Sequence, residues 1–214
     1  MIKKHIKTII ITSVLALAPM IVGLVLWDKL PESIPTHFGI NNEPDGFSSK
    51  PFAVFGLPLF LLAMHLLCVF ATRLDPKHNN INDKVFTLIL YIIPAVSLLM
   101  CAMIYPAALG KEVKIGLFTM LFIGLIFIII GNYLPKCKQS YTIGIKLPWT
   151  LDDSENWTKT HALAGKLWVA CGLIIIATAF LESPFIFFPV VLVMILVPTV
   201  YSYILYKKKK DKTE

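Results

Sequence analysis

Histidines are the side chains of this sequence best suited to chemistry, and two of them stand in polar loops. His37 lies eight residues before Asp45, and histidine beside carboxylates is a donor set that can bind a metal ion. One histidine with a few carboxylates is a weak pattern for a metal, so we predict no metal site. His161 follows Trp157 by one helical turn, and this spacing favours a packing pair over a catalytic base.

No catalytic or nucleotide-binding motif accompanies these histidines. The sequence has no P-loop, no nucleophile elbow and no HExxH pair. Its four cysteines show no metal-ligand spacing. We therefore predict a protein that is not an enzyme and has no cofactor. A membrane enzyme that acts on lipid or peptide at one loop, with a metal at His37 or His161, stays open as an alternative.

The composition identifies the elements that must position these residues. The 214 residues are 57% hydrophobic and 15% charged, with a mean hydropathy of +0.74. A soluble chain of this size cannot hide so much apolar surface. A bilayer core requires about 20 apolar residues in a helix. We predict an all-α integral membrane protein with six transmembrane helices, at about residues 6–27, 52–71, 85–105, 115–134, 163–181 and 185–206. The first run extends well past the small residues 16–18, so we predict a retained helix rather than a cleaved signal peptide.

The basic residues predict the orientation of these spans. All but four of the 20 Lys and Arg residues flank the predicted spans on one side, together with both chain termini. The exceptions are Lys29, Lys50, Lys111 and Lys114. Because cytoplasmic loops carry the excess of Lys and Arg, we predict that both termini are cytoplasmic. His37 and His161 would then lie on opposite faces of the membrane.

The predicted spans contain almost no ionisable side chain. His65 is the one candidate deep within a span, and such residues can mark a transport path. We interpret it as a neutral imidazole that is hydrogen-bonded to a neighbouring helix. The spacing of Gly116, Gly124 and Gly131 on the fourth span favours a close-packing face.

The first polar loop, residues 30–50, has the pattern of a small folded cap. Pro31 and Pro35 favour extended backbone, and Asn42 and Pro44-Asp45-Gly46 indicate tight turns. Such a cap can meet an extracellular ligand, can seal the bundle between the first two spans, or can do both.

The second polar loop, residues 131–165, includes 27 residues from Pro135 to His161, long for a structureless connection. We expect a bend at Gly144 and a helix that begins at Asp153 or Ser154. Trp149 and Trp157 suit the headgroup level of a bilayer, and we expect Asn132 to hydrogen-bond the loop backbone.

The first polar loop and its flanking spans resemble the DUF1648 module of bacterial membrane proteins. Its hallmark is a Pro-x-His-aromatic segment, then a Pro-Asp-Gly turn and a lysine. The matching positions are Pro35, His37, Phe38, Pro44, Asp45, Gly46 and Lys50. Phe38 stands where Trp is common and Asn42 where Gly is usual, but Asn tolerates a left-handed backbone.

The second half resembles the SdpI module in three segments. They are Gly-Asn-x-x-Pro-Lys, Ile-Gly-Ile-Lys-x-Pro-Trp-Thr-Leu, and Trp-x-x-Thr-His followed by a glycine. The matching positions are Gly131, Asn132, Pro135, Lys136, Ile143, Gly144, Ile145, Lys146, Pro148, Trp149, Thr150, Leu151, Trp157, Thr160, His161 and Gly165. Lys146 replaces the common Arg, which keeps the charge but loses the bidentate fork. Ser140 stands where Asn is usual.

The resemblance implies a domain organisation and a role. A DUF1648-like module would cover residues 1–75, the third span with its connections 76–112, an SdpI-like module 113–206 and a basic cytoplasmic tail 207–214. Members of the SdpI family include immunity proteins against a secreted sporulation-delaying peptide toxin. In the best-known arrangement they also sense the toxin and sequester a small cytoplasmic autorepressor. The implied partners are the lipid bilayer of the bacterial cell membrane, the toxin and the autorepressor, with no direct contact to nucleic acid.

The same resemblance assigns residues to the two faces. The toxin would be met at Pro35, His37, Phe38, Asp45, Gly46 and Lys50. Signalling or structural roles would fall to Asn132, Gly144, Lys146, Pro148, Trp149, Trp157, His161 and Gly165. The alternative function is a small-solute transporter or exporter that uses His65 and the proline-kinked helices.

Overall fold

The computed structural model describes residues 2–181 and 184–212, except for the side chain of Pro184. The last two residues of the predicted tail lie outside this range. Seven α-helices and one β-hairpin make up the described chain. They are α1 (Ile2–Val25), β1 (Ser33–Phe38), β2 (Pro44–Ser49), α2 (Leu57–Leu74), α3 (Asp83–Ala108), α4 (Ile115–Tyr133), α5 (Pro148–Asp152), α6 (Ser154–Ala179) and α7 (Pro184–Lys210).

Six of the described helical segments are long and apolar enough to cross a membrane, which confirms the predicted spans. They are Ile2–Val25, Phe52–Leu74, Asp83–Ala108, Ile115–Lys136, Ser154–Ala179 and Phe185–Lys210. The second begins with one π-helical turn, Phe52–Gly56. Helix α6 begins several residues before the predicted span, because its first two turns are polar and carry no hydropathy signal.

The all-α architecture of six spans is confirmed, and the hairpin is an addition to it that was not predicted. The first polar loop contains a two-stranded antiparallel sheet, in which Ser33 pairs with Ser49 and Ile34 with Ser48. The register shifts on either side of His37, as expected where a bulge interrupts a ladder. The sequence indicated turns in this loop but no strands, because Pro-Asp-Gly-Phe-Ser-Ser has little of the β-branched alternation typical of a strand.

The chain forms two compact units, and the first comprises Met1–Arg73 and Phe86–Ile115. Its helices are joined by side chains that donate to backbone carbonyls. Ser97 donates to the Ala16 carbonyl at 2.8 Å, and the Tyr105 hydroxyl donates to the Pro19 carbonyl at 3.0 Å. The hairpin rests on the apolar core of this unit. That core consists of Leu30, Ile34, Ala53, Val54, Ile104 and Tyr105.

The second unit comprises Leu74–Val85 and Gly116–Glu214, and glycines bring α4 and α6 into close contact. A Cβ atom on Gly131 would lie 2.8 Å from the Gly165 carbonyl oxygen, and one on Gly124 would lie 2.9 Å from the Gly172 carbonyl oxygen. The predicted close-packing face is therefore confirmed at Gly124 and Gly131. Helices α6 and α7 are joined by the Asn156 amide, which donates to the Ser202 carbonyl at 2.9 Å.

Candidate functional site

The hairpin holds an exposed histidine–carboxylate pair. The Nδ1 atom of His37 lies 2.5 Å from Oδ1 of Asp45, and the two side chains are 75% and 54% exposed. Gly46 lies opposite His37 in the sheet. A Cβ atom on Gly46 would lie 2.8 Å from the His37 Cβ, so a glycine is required for the two strands to pair at this rung.

The same hairpin carries apolar side chains, some of them exposed. Phe47 is 58% exposed and Ile40 at the hairpin tip is 80% exposed. Phe38 is half-buried and Pro35 is buried. The tip closes with Asn42 at a positive φ of 65°, which confirms the left-handed backbone expected at this Asn. The hairpin thus combines an ionisable pair with apolar surface that the chain itself does not cover.

Lys50 is buried, as Pro35 is, and does not face solvent with His37 and Asp45. It is only 7% exposed, and its Nζ atom lies 2.8 Å from Glu32 Oε1. The ammonium group also donates to the Trp27 carbonyl at 3.3 Å and stands 5.2 Å from the centroid of the Trp27 ring. Lys50 therefore ties the end of β2 to the segment between α1 and β1.

The second polar loop is organised by Asp75, a residue that the sequence analysis did not single out. Asp75 is 3% exposed. Its Oδ2 atom accepts hydrogen bonds from the Ser140 hydroxyl at 2.6 Å, the Tyr141 amide at 2.9 Å and the Thr142 amide and hydroxyl at 3.0 and 2.8 Å. Its Oδ1 atom accepts from the Lys77 amide at 2.8 Å. One buried carboxylate thus satisfies five donors.

These hydrogen bonds keep Asp75 ionised. Burial on its own raises the pKa of a carboxyl group, but the hydrogen bonds from Ser140, Lys77 and Thr142 outweigh it and leave the pKa of Asp75 below its ordinary value of 3.8. The one sequence signal for this role is an acidic residue that directly follows a long apolar helix and precedes a proline.

Gln139 extends this network to α5. Its amide donates to the Thr150 carbonyl at 3.0 Å and the Leu151 carbonyl at 3.2 Å. Its backbone carbonyl accepts from the Asn80 side chain at 2.9 Å. Carbonyls near the end of a short helix have no donor within that helix. The Gln139 amide provides the missing donors.

His161 is a structural histidine at the base of the loop. Its ring stacks on Trp157 with the centroids 4.0 Å apart, which confirms the predicted packing pair. The Ile145 amide donates to Nε2 at 2.9 Å, and Nδ1 lies 2.8 Å from the Trp157 carbonyl. Because Nε2 must accept and Nδ1 must donate, the ring is the neutral Nδ1–H tautomer. Both nitrogens are engaged, so neither is available as a general base.

Gly144 makes the predicted bend, with a φ of 114°. A Cβ atom on it would lie 2.6 Å from His161 Nε2 and 2.7 Å from Trp157 Cζ2. Glycine is therefore required twice, for the left-handed backbone and for close contact with the stacked rings. Gly165 has a similar constraint on α6, where a Cβ atom would lie 2.6 Å from Pro135 Cγ.

Trp149 connects the loop to α7. Its indole N–H donates to the Ser202 hydroxyl at 2.9 Å, and its ring stacks on Tyr206 at 5.9 Å between centroids. Pro148 is the first residue of α5. An N–H at this position would have no acceptor within the helix, so proline is well tolerated there. Lys146 is exposed and donates to the Thr142 carbonyl at 3.2 Å. These residues belong to one assembly with His161 and Asp75, all within the second unit.

Two expectations for this loop were wrong. Trp157 is 1% exposed and donates to the Cys137 carbonyl at 2.8 Å, so its ring lies in the protein interior and does not contact lipid headgroups. Asn132 donates to the Ile128 carbonyl of its own helix at 2.9 Å and not to the loop backbone. In each case the side chain donates to a carbonyl of the protein that the local pattern did not indicate.

The helix cap and His65 agree with the predictions. Asp153 accepts from the Glu155 amide at 2.9 Å as the N-cap of α6. His65 is 1% exposed and lies 3.0 Å from the Thr12 hydroxyl of α1, which supports a structural role over a transport path. Within residues 2–181 and 184–212, no three His, Cys, Asp or Glu side chains are grouped as metal ligands.

Membrane-spanning helices with a folded hairpin and a buried polar loop define a small multi-pass membrane protein. Residues 14–62 match the domain of unknown function DUF1648, and residues 136–202 match the SdpI/YfhL protein family. The chain is 30% identical over 213 residues to "Immunity protein SdpI" of Bacillus subtilis (strain 168), which covers 96% of this chain and 97% of that relative. The chain therefore belongs to the SdpI/YfhL family. No solved structure matches it.

Proposed function

We propose that this protein protects the bacterium that makes it from a secreted peptide toxin of the sporulation-delaying type. The observation that carries the proposal is the similarity to an immunity protein along nearly the whole chain, at 30% identity. A shared fragment would support only a shared fold, whereas this similarity includes both polar loops.

The hairpin is the surface that we assign to the toxin. Phe47, Ile40 and the His37–Asp45 pair are exposed, and apolar side chains beside charged ones suit an amphipathic peptide. Pro35 and Lys50 have a different part in this proposal. Both are buried, so they hold the hairpin in place for Phe38, Asp45 and Gly46 to meet the ligand.

The second polar loop is the surface that we assign to an autorepressor on the cytoplasmic side, with both termini on that side. Lys209 near the end of α7 donates to the Asp153 carboxylate at 2.9 Å. That hydrogen bond holds the pKa of Asp153 below its ordinary value of 3.8. The pair ties the basic end of α7 to the loop, so a displacement of α7 would reach the surface that binds the repressor. A ligand can produce such a displacement only by binding two states of the bundle with different affinity.

Protection needs no catalysis in this proposal. Both ring nitrogens of His161 form structural hydrogen bonds, and His37 has a single carboxylate partner. The protein would act by binding the toxin or by changing its access to the membrane.

The direct experiment is a survival assay in toxin-sensitive cells that express the chain. We expect cells with the protein to survive a dose of sporulation-delaying peptide that kills cells with an empty vector. The control is a strain that expresses an unrelated six-helix membrane protein in the same amount. It shows whether overproduction of any membrane protein changes survival. Equal killing in all three strains would contradict the immunity function.

A further inference from the structure

The alternation of hydrogen-bonded and non-hydrogen-bonded residue pairs in the hairpin shows which backbone groups face outward. The Lys50 amide donates to the Glu32 carbonyl at 2.9 Å, so this rung is hydrogen-bonded. Rungs alternate in an antiparallel pair, and the next one, Ser33 with Ser49, therefore points its amide and carbonyl groups away from the partner strand. The same holds for Pro35 with Phe47, two rungs further on.

The two outer edges of the hairpin are not equivalent. On β1 the outward rung at Pro35 has no N–H, and both Ile34 and Pro35 are buried. Proline at this position removes no hydrogen bond between the strands, because an N–H there would not have faced β2. On β2 the outward amides belong to Phe47 and Ser49, and both residues are exposed. The edge of β1 is thus interrupted at Pro35, whereas the open edge of β2 has an outward N–H at both rungs.

The surroundings of the open edge favour a particular kind of strand. Glu43 and Asp45 are exposed at the start of β2. Glu43 accepts a hydrogen bond from the Asn41 amide at 2.7 Å. Because that amide is neutral, this hydrogen bond does not neutralise the charge of Glu43. The Phe47 ring, 58% exposed, adds apolar surface beside the edge. An extended segment with a basic residue next to apolar ones complements both features.

We propose that the open edge of β2 binds an extended segment of the peptide toxin by β-strand addition. The amides and carbonyls of Phe47 and Ser49 hydrogen-bond the toxin backbone, and the Glu43 carboxylate selects a basic residue. The proposal rests on the immunity function and names the surface through which it works. Backbone pairing supplies affinity, and the flanking side chains supply specificity.

Proline substitution on one rung tests the edge. Ser49→Pro removes an outward N–H from β2, whereas Ser33→Pro removes the outward N–H of the opposite residue on β1. Both residues are exposed serines, so the two variants are matched. With Ser49→Pro we expect the dose of sporulation-delaying peptide that cells survive to fall about tenfold, the effect of one lost interstrand hydrogen bond. Ser33→Pro should protect like the unmodified protein.

Amide hydrogen exchange on the unmodified protein provides a test that does not depend on the folding of a variant. The full chain in lipid nanodiscs is mixed with purified sporulation-delaying peptide. Exchange should slow at Phe47 and Ser49 and stay unchanged at Ser33. Unchanged exchange at Phe47 and Ser49, or equal protection by the two proline variants, would overturn strand addition.

Three further outcomes are distinguishable. If the unmodified chain protects cells and Ser49→Pro protects equally well, immunity stands and the β2 edge is the wrong surface. If exchange at Phe47 and Ser49 slows with protein concentration in the absence of toxin, the edge pairs with a second copy of this chain, and the proposal fails. If the unmodified chain gives no protection at all, the immunity function itself fails.

Discussion

The buried carboxylate of Asp75 accepts a 2.6 Å hydrogen bond from the Ser140 hydroxyl, across 65 positions of the sequence. The same oxygen accepts three further hydrogen bonds from Tyr141 and Thr142. The second polar loop therefore takes its conformation from an anion supplied by another loop. The Ser140 hydroxyl donates the shortest of these hydrogen bonds.

Replacement of Asp75 by Asn should loosen this loop. The Asn side chain places an NH2 group, which cannot accept, among donors from Ser140 and Thr142, so buried donors lose their partner. We expect Asp75→Asn to lower the free energy of unfolding by about 1–3 kcal/mol, measured by thermal unfolding in detergent. Asp152→Asn is the matched control, because Asp152 is exposed. An equal effect of the two variants would contradict the role of Asp75.

Acid should weaken the same loop through the same group. The pKa of Asp75 is lower in the folded protein than its ordinary value of 3.8, since the hydrogen bonds from Ser140, Lys77 and Thr142 outweigh the effect of burial. A depressed pKa contributes stability that is complete above about pH 4 and is lost as the pH falls through the folded-state value. Unfolding midpoints measured from pH 7 to pH 3 should fall less steeply at the acid end for Asp75→Asn than for Asp152→Asn. Parallel curves would contradict this account.

His161→Phe tests the structural role of the histidine. Phenylalanine keeps an aromatic ring against Trp157 but leaves the Ile145 amide without its acceptor. We expect a loss of about 1–3 kcal/mol in the free energy of unfolding. His161→Gln offers an oxygen to the same amide and should lose less of that hydrogen bond's contribution. If His161→Phe is as stable as the unmodified protein, the Ile145 hydrogen bond does not hold the loop.

The six spans and the helix cap could be predicted from the sequence because their causes are local. A bilayer leaves an apolar run of about 20 residues few options besides a helix. Asp153 caps α6 through the Glu155 amide two residues away, and Trp157 with His161 is an i, i+4 pair. Local patterns of this kind are visible without any knowledge of tertiary structure.

Asp75, the hairpin strands and Trp157 could not be predicted, because their causes are distant in sequence. Four of the five donors to the Asp75 carboxylate lie more than sixty positions away. The ladder of β1 and β2 forms although β2 has weak strand propensity, since Ile34 packs into the apolar core. Trp157 has the amphipathic character of an interfacial residue, but the Cys137 carbonyl holds its N–H inside the protein.

Gly144→Ala separates the cost of backbone strain from the cost of lost space. Gly110 also has a positive φ, of 75°, but a Cβ atom on it would meet nothing within 4 Å. We expect Gly110→Ala to cost about 1 kcal/mol in unfolding free energy from strain alone. Gly144→Ala should cost about 1–3 kcal/mol more, since its methyl group would displace the His161 and Trp157 rings. Thermal unfolding of both variants measures the difference, and equal losses would contradict the packing at Gly144.

The survival of toxin-sensitive cells that express the unmodified chain tests the central claim most directly. Cells are exposed to a dose series of purified sporulation-delaying peptide, with membrane levels of the protein verified in every strain. The account predicts a dose–survival curve displaced by at least about tenfold to higher toxin, the effect of a binding difference of 1.4 kcal/mol. A curve that coincides with that of cells carrying an empty vector would contradict it.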